Sequence, residues 1–329
     1  MKGKTVMIKI RHIIGLFVLL LMPVTSVQSA DYPNRPVTSL GPFGAGGGAD
    51  TMLRAVASVI KPYLGQPFVH VNKAGGGSTI AANVVAQGKP DGYTIVTLVS
   101  PGAIPEIYTH FRVAPYTSKD LRPVIRMTAN PYALWVHADS PVKTVDDFVK
   151  AAKAKAGKMT FAHAGRGHIY HLLMTALQNK AGIKLRDVPT KGGGPTIKET
   201  LGKHVDAGIA SVTSGKKHMQ AGTLRMLAVE HTGRIPWAPD VKTFAEQGYD
   251  FNLSPWYLSV FVNAKTPDPI VNTLHDALKA SLKDPKFLEV AKKRGMFIDY
   301  GTAAAVLKDV ENDRKVILPL LKQLGMGPK

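Results

Sequence analysis

Four glycine-rich stretches, at 44–48, 75–77, 165–167 and 192–194, each separate a short apolar run from a segment whose apolar residues recur at helical spacing. A run over 37–40 leads into Gly41-Pro42-Phe43-Gly44-Ala45-Gly46-Gly47-Gly48, and Met52, Leu53, Val56, Val59 and Ile60 follow on one helix face. A second run over 68–71 enters Ala74-Gly75-Gly76-Gly77-Ser78 ahead of Ile80, Ala81, Val84 and Val85. The pattern returns at 159–162 before Gly165-Arg166-Gly167, and at Val188 before Lys191-Gly192-Gly193-Gly194-Pro195. Alternating strand and helix signals of this kind predict an α/β fold. In open α/β sheets, ligands sit beyond the carboxyl ends of the strands, where these loops must lie.

Glycine lets the backbone approach a ligand closely and aim successive N–H groups at it, and each following helix adds its positive end. Each loop is therefore an anion cradle or simply a tight turn, and it is their number, two in each half, that favours the cradle. The 329 residues suffice for two domains. A block beginning near Asn130 carries the second pair of loops. The segment 250–265, with Trp256, Tyr257 and Phe261, is the expected crossing back. In the last third, Pro269, Asp284-Pro285 and Thr302 open helices, Gly295 stops the second, and Pro319 is expected to kink the third.

Residues 1–30 read as a signal peptide. Lys2, Lys4, Lys9 and Arg11 precede an apolar stretch over 13–22, broken only by Gly15 and ended by Pro23. Val27 and Ser29, or Ala30, offer small residues for cleavage near 29–31. The apolar run is about half the roughly twenty residues of a membrane span. An exported, periplasmic protein is expected, with an uncleaved anchor as the alternative. Removing the segment takes four of 42 basic residues and none of the 23 acidic ones, leaving a net charge of about +15. Such a field draws anions. No run interleaves basic and aromatic residues as a nucleic-acid groove does, so nucleic acid is not an expected partner.

Several chemistries lack their residues. There is no cysteine, which removes thiolate metal sites, disulfides and cysteine nucleophiles. Gly44-Ala45-Gly46-Gly47-Gly48-Ala49 fits a dinucleotide fingerprint, but the second strand ends His70-Val71-Asn72-Lys73 without the required acid. None of the four loops carries a Gly-Lys-Ser/Thr ending, and no Gly-x-Ser-x-Gly elbow or His-Glu-x-x-His helix occurs. His163, His168 and His171 cluster around one glycine loop with no carboxylate beside them in sequence. They read as donors to an anionic ligand, as packing, or as metal ligands, and no metal or cofactor is assigned. Arg166 is the candidate for a forked contact to a carboxylate. Asp50, in the first turn of its helix, reads as a macrodipole partner rather than a base.

Tyr32-Pro33-x-Arg35-Pro36 and Pro42-Phe43-x-Ala45-Gly46-Gly47-x-x-Asp50 resemble the receptors of tripartite tricarboxylate transporters, the TctC or Bug family. The likeness continues through Leu64-Gly65-Gln66-Pro67, Gly75 to Ser78 and Pro90-Asp91-Gly92-Tyr93-Thr94. It resumes at Lys191-Gly192-Gly193, Ala221-Gly222-x-Leu224-Arg225-x-Leu227-Ala228-Val229, Arg234, Pro239-Asp240-Val241, Glu246-x-Gly248 and Thr266-Pro267. The resemblance implies a type II-like Venus-flytrap: two mixed sheets flanked by helices and joined by a two-strand hinge. Domain I is expected over 31–129 plus 254–329 and domain II over 130–253. In the family, the first-domain loops hold a ligand carboxylate through backbone N–H groups and ordered water. They correspond here to Phe43, Gly44, Ala45, Gly46, Gly47, Gly48, Ala49 and Asp50, with Gly75, Gly76, Gly77 and Ser78.

The second-domain loops read the far end, here His163, Ala164, Gly165, Arg166 and His168, with Thr190, Gly192 and Gly193. Where the family usually carries a Ser-Ser-Gly type run, this chain has His163-Ala164-Gly165; where it often has Pro-Tyr-Lys-Gly, Pro189-Thr190-Lys191-Gly192 stands. These basic replacements lead to the expectation that His163, Arg166 and His168 favour a second anionic group. The implied function is a monomeric, non-enzymatic receptor that delivers a di- or tricarboxylate or aromatic acid to membrane transporter subunits. A periplasmic sensor or, less readily, an enzyme on the same fold are the alternatives.

Overall fold

A strand and its crossover helix dock when each buries an apolar face against the other, and the first hundred residues supply such faces in turn. The structure is a computed structural model describing residues 32–110, 114–251, 253 and 255–323. The expected leader lies outside these residues. β1 (Val37–Gly41) runs into α1 (Gly48–Val59) and the short α2 (Lys61–Leu64), followed by β2 (Phe68–Asn72), α3 (Thr79–Ala86) and β3 (Thr94–Val99). β1 lies between β2 and β3, parallel to both. Met52, Leu53 and Val56 of α1 are buried as their spacing requires.

The chain then enters β4 (Leu121–Asn130) and, after Pro131 alone, β5 (Tyr132–His137). Tyr132, Ala133, Leu134, Trp135 and Val136 are all fully buried, the continuous apolar run of a strand covered on both faces. α4 (Val145–Ala154) begins at Thr144, whose hydroxyl accepts from Asp147 N while the Asp147 carboxylate accepts from Thr144 N. β6 (Thr160–His163), α5 (Ile169–Ala181), β7 (Arg186–Pro189), α6 (Gly193–Leu201), β8 (Ala207–Ser211), α7 (Val212–Gln220) and β9 (Leu224–Glu230) complete the second unit of strands and helices. β10 (Trp256–Asn263) returns to the first, followed by α8 (Asp268–Ser281), α9 (Pro285–Arg294), β11 (Ile298–Thr302) and α10 (Ala303–Gln323). Asp284 caps α9 and Gly295 ends it in the left-handed region, as expected. α10 includes Pro319.

Two mixed sheets result. The six-stranded sheet has the order β11-β4-β10-β3-β1-β2 and the five-stranded sheet β7-β6-β8-β5-β9. β4 and β10 pair antiparallel from Trp256 opposite Asn130 to Asn263 opposite Leu121, so the two strands nearest the crossing brace one another. β4 and β11 were not foreseen from sequence. β4 carries Arg122, Pro123 and Arg126, and proline argues against a central strand; here Pro123 lies beside a register shift in the ladder with β10. β11, with Asp299 and Gly301 in five residues, has little strand character of its own and is held by pairing with β4. No helix of the described residues is long and apolar enough to cross a membrane.

Candidate functional site

The loop after β1 and the loop before α6 face each other across the two lobes and touch. Gly44 N donates to Lys191 O at 2.5 Å, and Gly48 N donates to Ser214 Oγ at 3.1 Å. A Cβ on Gly194 would collide with Ala45 O and lie 2.8 Å from Gly46 C and Gly47 N; one on Gly192 would lie 2.8 Å from Phe43 Cβ. Gly192 also adopts φ +135°, a conformation L side chains rarely reach. The glycines at 44–48 and 192–194 thus admit one another, a seam of backbone on backbone. The sequence reading places Gly44, Gly46, Gly47, Gly48, Gly192 and Gly193 at the ligand.

Asp50 organises the first-lobe side of this seam. Its carboxylate accepts from Gly46 N at 2.9 Å and Arg54 Nε at 2.9 Å, and meets His70 Nε2 at 3.2 Å. Burial by itself would raise its pKa; the bonds from His70, Gly46 N, Arg54 and Asn72 outweigh burial and hold the carboxyl well below its ordinary range. Asp50 is therefore a committed anion that shapes the loop.

Gly75, Gly76, Gly77 and Ser78 all have positive φ, at 132°, 63°, 63° and 93°. The turn delivers the chain to the first residue of α3. Ser78 is a serine in glycine's conformation, fully buried, and its Oγ has no hydrogen-bond partner among the described residues. Such strain persists where the surrounding structure over-determines it.

In the second lobe, β6 ends at His163 and the chain turns through Ala164-Gly165-Arg166-Gly167 to His168, the N-cap of α5. Three rings accept backbone N–H groups at Nδ1: His163 from Gly165 at 3.2 Å, His171 from Gly167 at 3.3 Å, His168 from Tyr170 at 3.2 Å. A neutral ring that accepts at Nδ1 carries its proton on Nε2. His163 Nε2 lies 3.4 Å from Asp187 Oδ2, across β6 and β7. Asp187 also takes the fork of Arg166, Nε to Oδ2 at 2.8 Å and Nη2 to Oδ1 at 3.1 Å.

Three expectations change here. A carboxylate does lie beside the histidines, brought from Asp187 on the next strand. The forked contact of Arg166 is made inside the protein. His168, and with it the unassigned His171, is held neutral: burial first, and the neighbouring His163, push the pKa of each down to about 3. The bonds from His163 and then Arg166 hold Asp187 well below the usual carboxylate range. His163, His171 and Asp187 offer ligand atoms within 4.8 Å of one another, a spacing that suits a metal. Both imidazoles nevertheless accept a backbone N–H at Nδ1, and His163 Nε2 already faces Asp187 at 3.4 Å, so these groups are engaged with one another inside the protein.

Beside the seam lies a cavity of ≈ 270 Å³ lined by Pro42, Phe43 and Gly75–Gly77 on one side and Ala164, Gly165, Arg166, Pro189, Thr190 and Lys191 on the other. Of the expected site residues it gathers Phe43, Gly75, Gly76, Gly77, Ala164, Gly165, Arg166 and Thr190. Gly44, Ala45, Gly46, Gly47, Gly48, Ala49, Asp50, Gly192 and Gly193 lie in or behind the seam, and Ser78, His163 and His168 are buried outside the lining. Pro42, Pro189 and Lys191 line it and were not selected, although each adjoins a selected loop. The Phe43 ring meets His168 edge-on, centroids 5.1 Å apart, which fixes one wall. Thr190 Oγ1 is committed to His163 O, Gly192 O and Thr196 Oγ1 at 2.9–3.1 Å. Another cavity of ≈ 290 Å³, around His137, Lys203 and Asp206, is lined by the second lobe alone and by none of the glycine loops.

Two outcomes follow from this geometry. Gly194→Ala places a better helix former in α6, so the unliganded protein should be at least as stable as wild type. Its seam should fail to form, leaving a larger radius of gyration than wild type when both are saturated with a cleft ligand; equal radii by small-angle scattering would contradict the seam. For His168, the unfolded chain takes up a proton below pH about 6.5 and the folded chain only below about 3. The unfolded state binds more protons between these values, so stability falls on acidification, by at most about 1.4 kcal/mol per pH unit for this group. His168→Asn, which keeps a capping acceptor, should flatten that slope in urea titrations.

A family model described as tripartite tricarboxylate transporter family receptor matches residues 52–326. A UPF0065 protein from the tcbD-tcbE intergenic region of Pseudomonas sp. (strain P51) is 32% identical over 303 residues, covering 91% of this chain and 89% of its own. Protein BugT of Bordetella pertussis is 30% identical over 291 residues, covering 88% and 89%. Among solved structures, the periplasmic binding protein BugD superposes with a TM-score of 0.84 at 30% identity, over 90% of this chain and 99% of its own. R. palustris Rpa4515, solved with adipate, gives 0.83 at 27% identity, over 90% and 99%. The chain belongs to the receptor family of the tripartite tricarboxylate transporters.

Proposed function

We propose that this chain is an exported receptor that closes two lobes over a small carboxylate and delivers it to the membrane subunits of a tripartite transporter. The supporting observation is the cavity of ≈ 270 Å³ walled by glycine loops of both sheets, in a member of a family of transport receptors. We assign the first lobe to 31–129 with 254–329 and the second to 130–253, with β4 to β5 and the return into β10 as the hinge. The receptor acts as a monomer.

The ionisable groups suit binding without chemistry. Asp50 and Asp187 are ionised and paired, and His168 and His171 are neutral, so none is poised to transfer a proton near neutral pH. The lining also narrows the cargo. With Arg166 held by Asp187, Lys191 is the cation in the wall that makes no ion pair among the described residues. Pro42, Phe43, Ala164 and Pro189 supply apolar surface. One carboxylate on backbone N–H groups and a second at Lys191, joined by an aliphatic body, fit this wall better than a densely charged tricarboxylate. The adipate held by Rpa4515 has that form.

A thermal-shift screen at low salt tests the reading, with aliphatic mono-, di- and tricarboxylates and aromatic acids against amino acids, sugars and nucleotides. A ligand bound only by the folded protein stabilises it by about 2.7 kcal/mol at a hundred times its dissociation constant. The expected result is the largest shift with an aliphatic dicarboxylate. A shift with a sugar or nucleotide and none with any carboxylate would overturn the assignment.

A further inference from the structure

A second concavity, of ≈ 530 Å³, opens on a different side of the seam between α1 and α9 of the first lobe and α7 of the second. Its basic residues are Arg54, Lys216, Lys217, Lys293 and Arg294, and its one acid is Asp50. Two of these cations are spoken for. Arg54 bonds Asp50 at 2.9 Å. Lys216 crosses between the lobes to donate to Lys292 O at 3.3 Å and Lys293 O at 3.4 Å, the carbonyl end of α9. The other three, Lys217, Lys293 and Arg294, are exposed and have no carboxylate within ion-pair distance among the described residues. Like charges on neighbouring helices repel unless something neutralises them, and the groove holds them around one opening.

We propose that this groove docks an acidic peptide segment of a partner protein. A small anion is best held by donors converging on one point. Here the buried ammonium of Lys216 is turned to the α9 carbonyls, while the unpaired cations come from two helices, Lys217 from α7 and Lys293 with Arg294 from α9, around an opening about twice the volume of the carboxylate cavity. Long, exposed cations spaced in this way match carboxylates spread along an extended chain. Such complementarity raises association rates and selects partners. A segment seated there touches α1, α7 and α9 together and so bridges both lobes. The cleft ligand takes no part in the assignment.

The test uses the exported protein without cleft ligand and a twelve-residue Glu/Ser peptide carrying an uncharged fluorophore, with a Lys/Ser peptide as control, followed by fluorescence anisotropy. The Glu/Ser peptide should bind with an affinity that falls as salt rises. The triple neutralisation Lys217→Gln, Lys293→Gln, Arg294→Gln should weaken it by at least about tenfold, roughly 1.4 kcal/mol. Arg294→Gln alone should give a smaller loss in the same direction, and circular dichroism checks that both variants fold. Neutralising Lys89, Lys119 and Lys150, exposed elsewhere, should change little. Equal loss in that control set would reduce the effect to bulk charge and overturn the proposal, as would an undiminished triple variant. Displacement by citrate or pyrophosphate at the peptide's own affinity would make the groove a small-anion site. Binding to phosphatidylglycerol vesicles without peptide binding would make it a membrane surface, and either result overturns the proposal.

Discussion

Two polypeptide backbones reach hydrogen-bonding distance outside a sheet only where no side chain stands between them, and the contact between the lobes here depends on that condition. Gly44 N bonds Lys191 O, and Gly194 packs on Ala45 to Gly47 in a contact that any Cβ at Gly194 would block. The hydrogen bonds there are each worth about 1 kcal/mol net, which is modest enough for opening and closing to remain in balance. A ligand that touches both lobes shifts that balance by its differential affinity for the closed arrangement.

Each side of the cleft is braced by the same kind of unit, a carboxylate shared between an arginine and a histidine. In the first lobe Asp50 joins Arg54, His70 and the Gly46 amide; in the second Asp187 joins Arg166 and His163. Both units settle the charge of their loops inside the protein. The arrangement leaves the cavity wall with the apolar surface of Pro42, Phe43, Ala164 and Pro189 and with Lys191, which makes no ion pair among the described residues. Lys217, Lys293 and Arg294, on another side of the seam, likewise have no carboxylate within ion-pair distance among the described residues.

Much of the first lobe and the loop order of the second were legible in sequence because apolar periodicity and glycine punctuation are local signals. Helix ends at Asp284 and Gly295, and the Thr144 capping pair, were legible for the same reason. β4 was not, because Pro123 and two arginines mask a strand that only its pairing with β10 and β11 stabilises. Asp187 was also out of reach: it lies 24 residues from His163, and adjacency on parallel strands brings them together. The same holds for the seam. A glycine run announces a close backbone approach without saying to what, and only the folded chain shows that 44–48 meets 192–194.

Hydrogen exchange at the Gly44 and Gly48 amides, followed by NMR on the protein saturated with a carboxylate that raises its melting temperature, addresses the seam most directly. With the lobes joined as described, both amides should be protected in the complex and exchange markedly faster when the ligand is removed. Exchange of both amides at exposed-loop rates in the saturated complex would contradict the account, because the carboxylate would then be held without the backbone contact on which closure is said to depend.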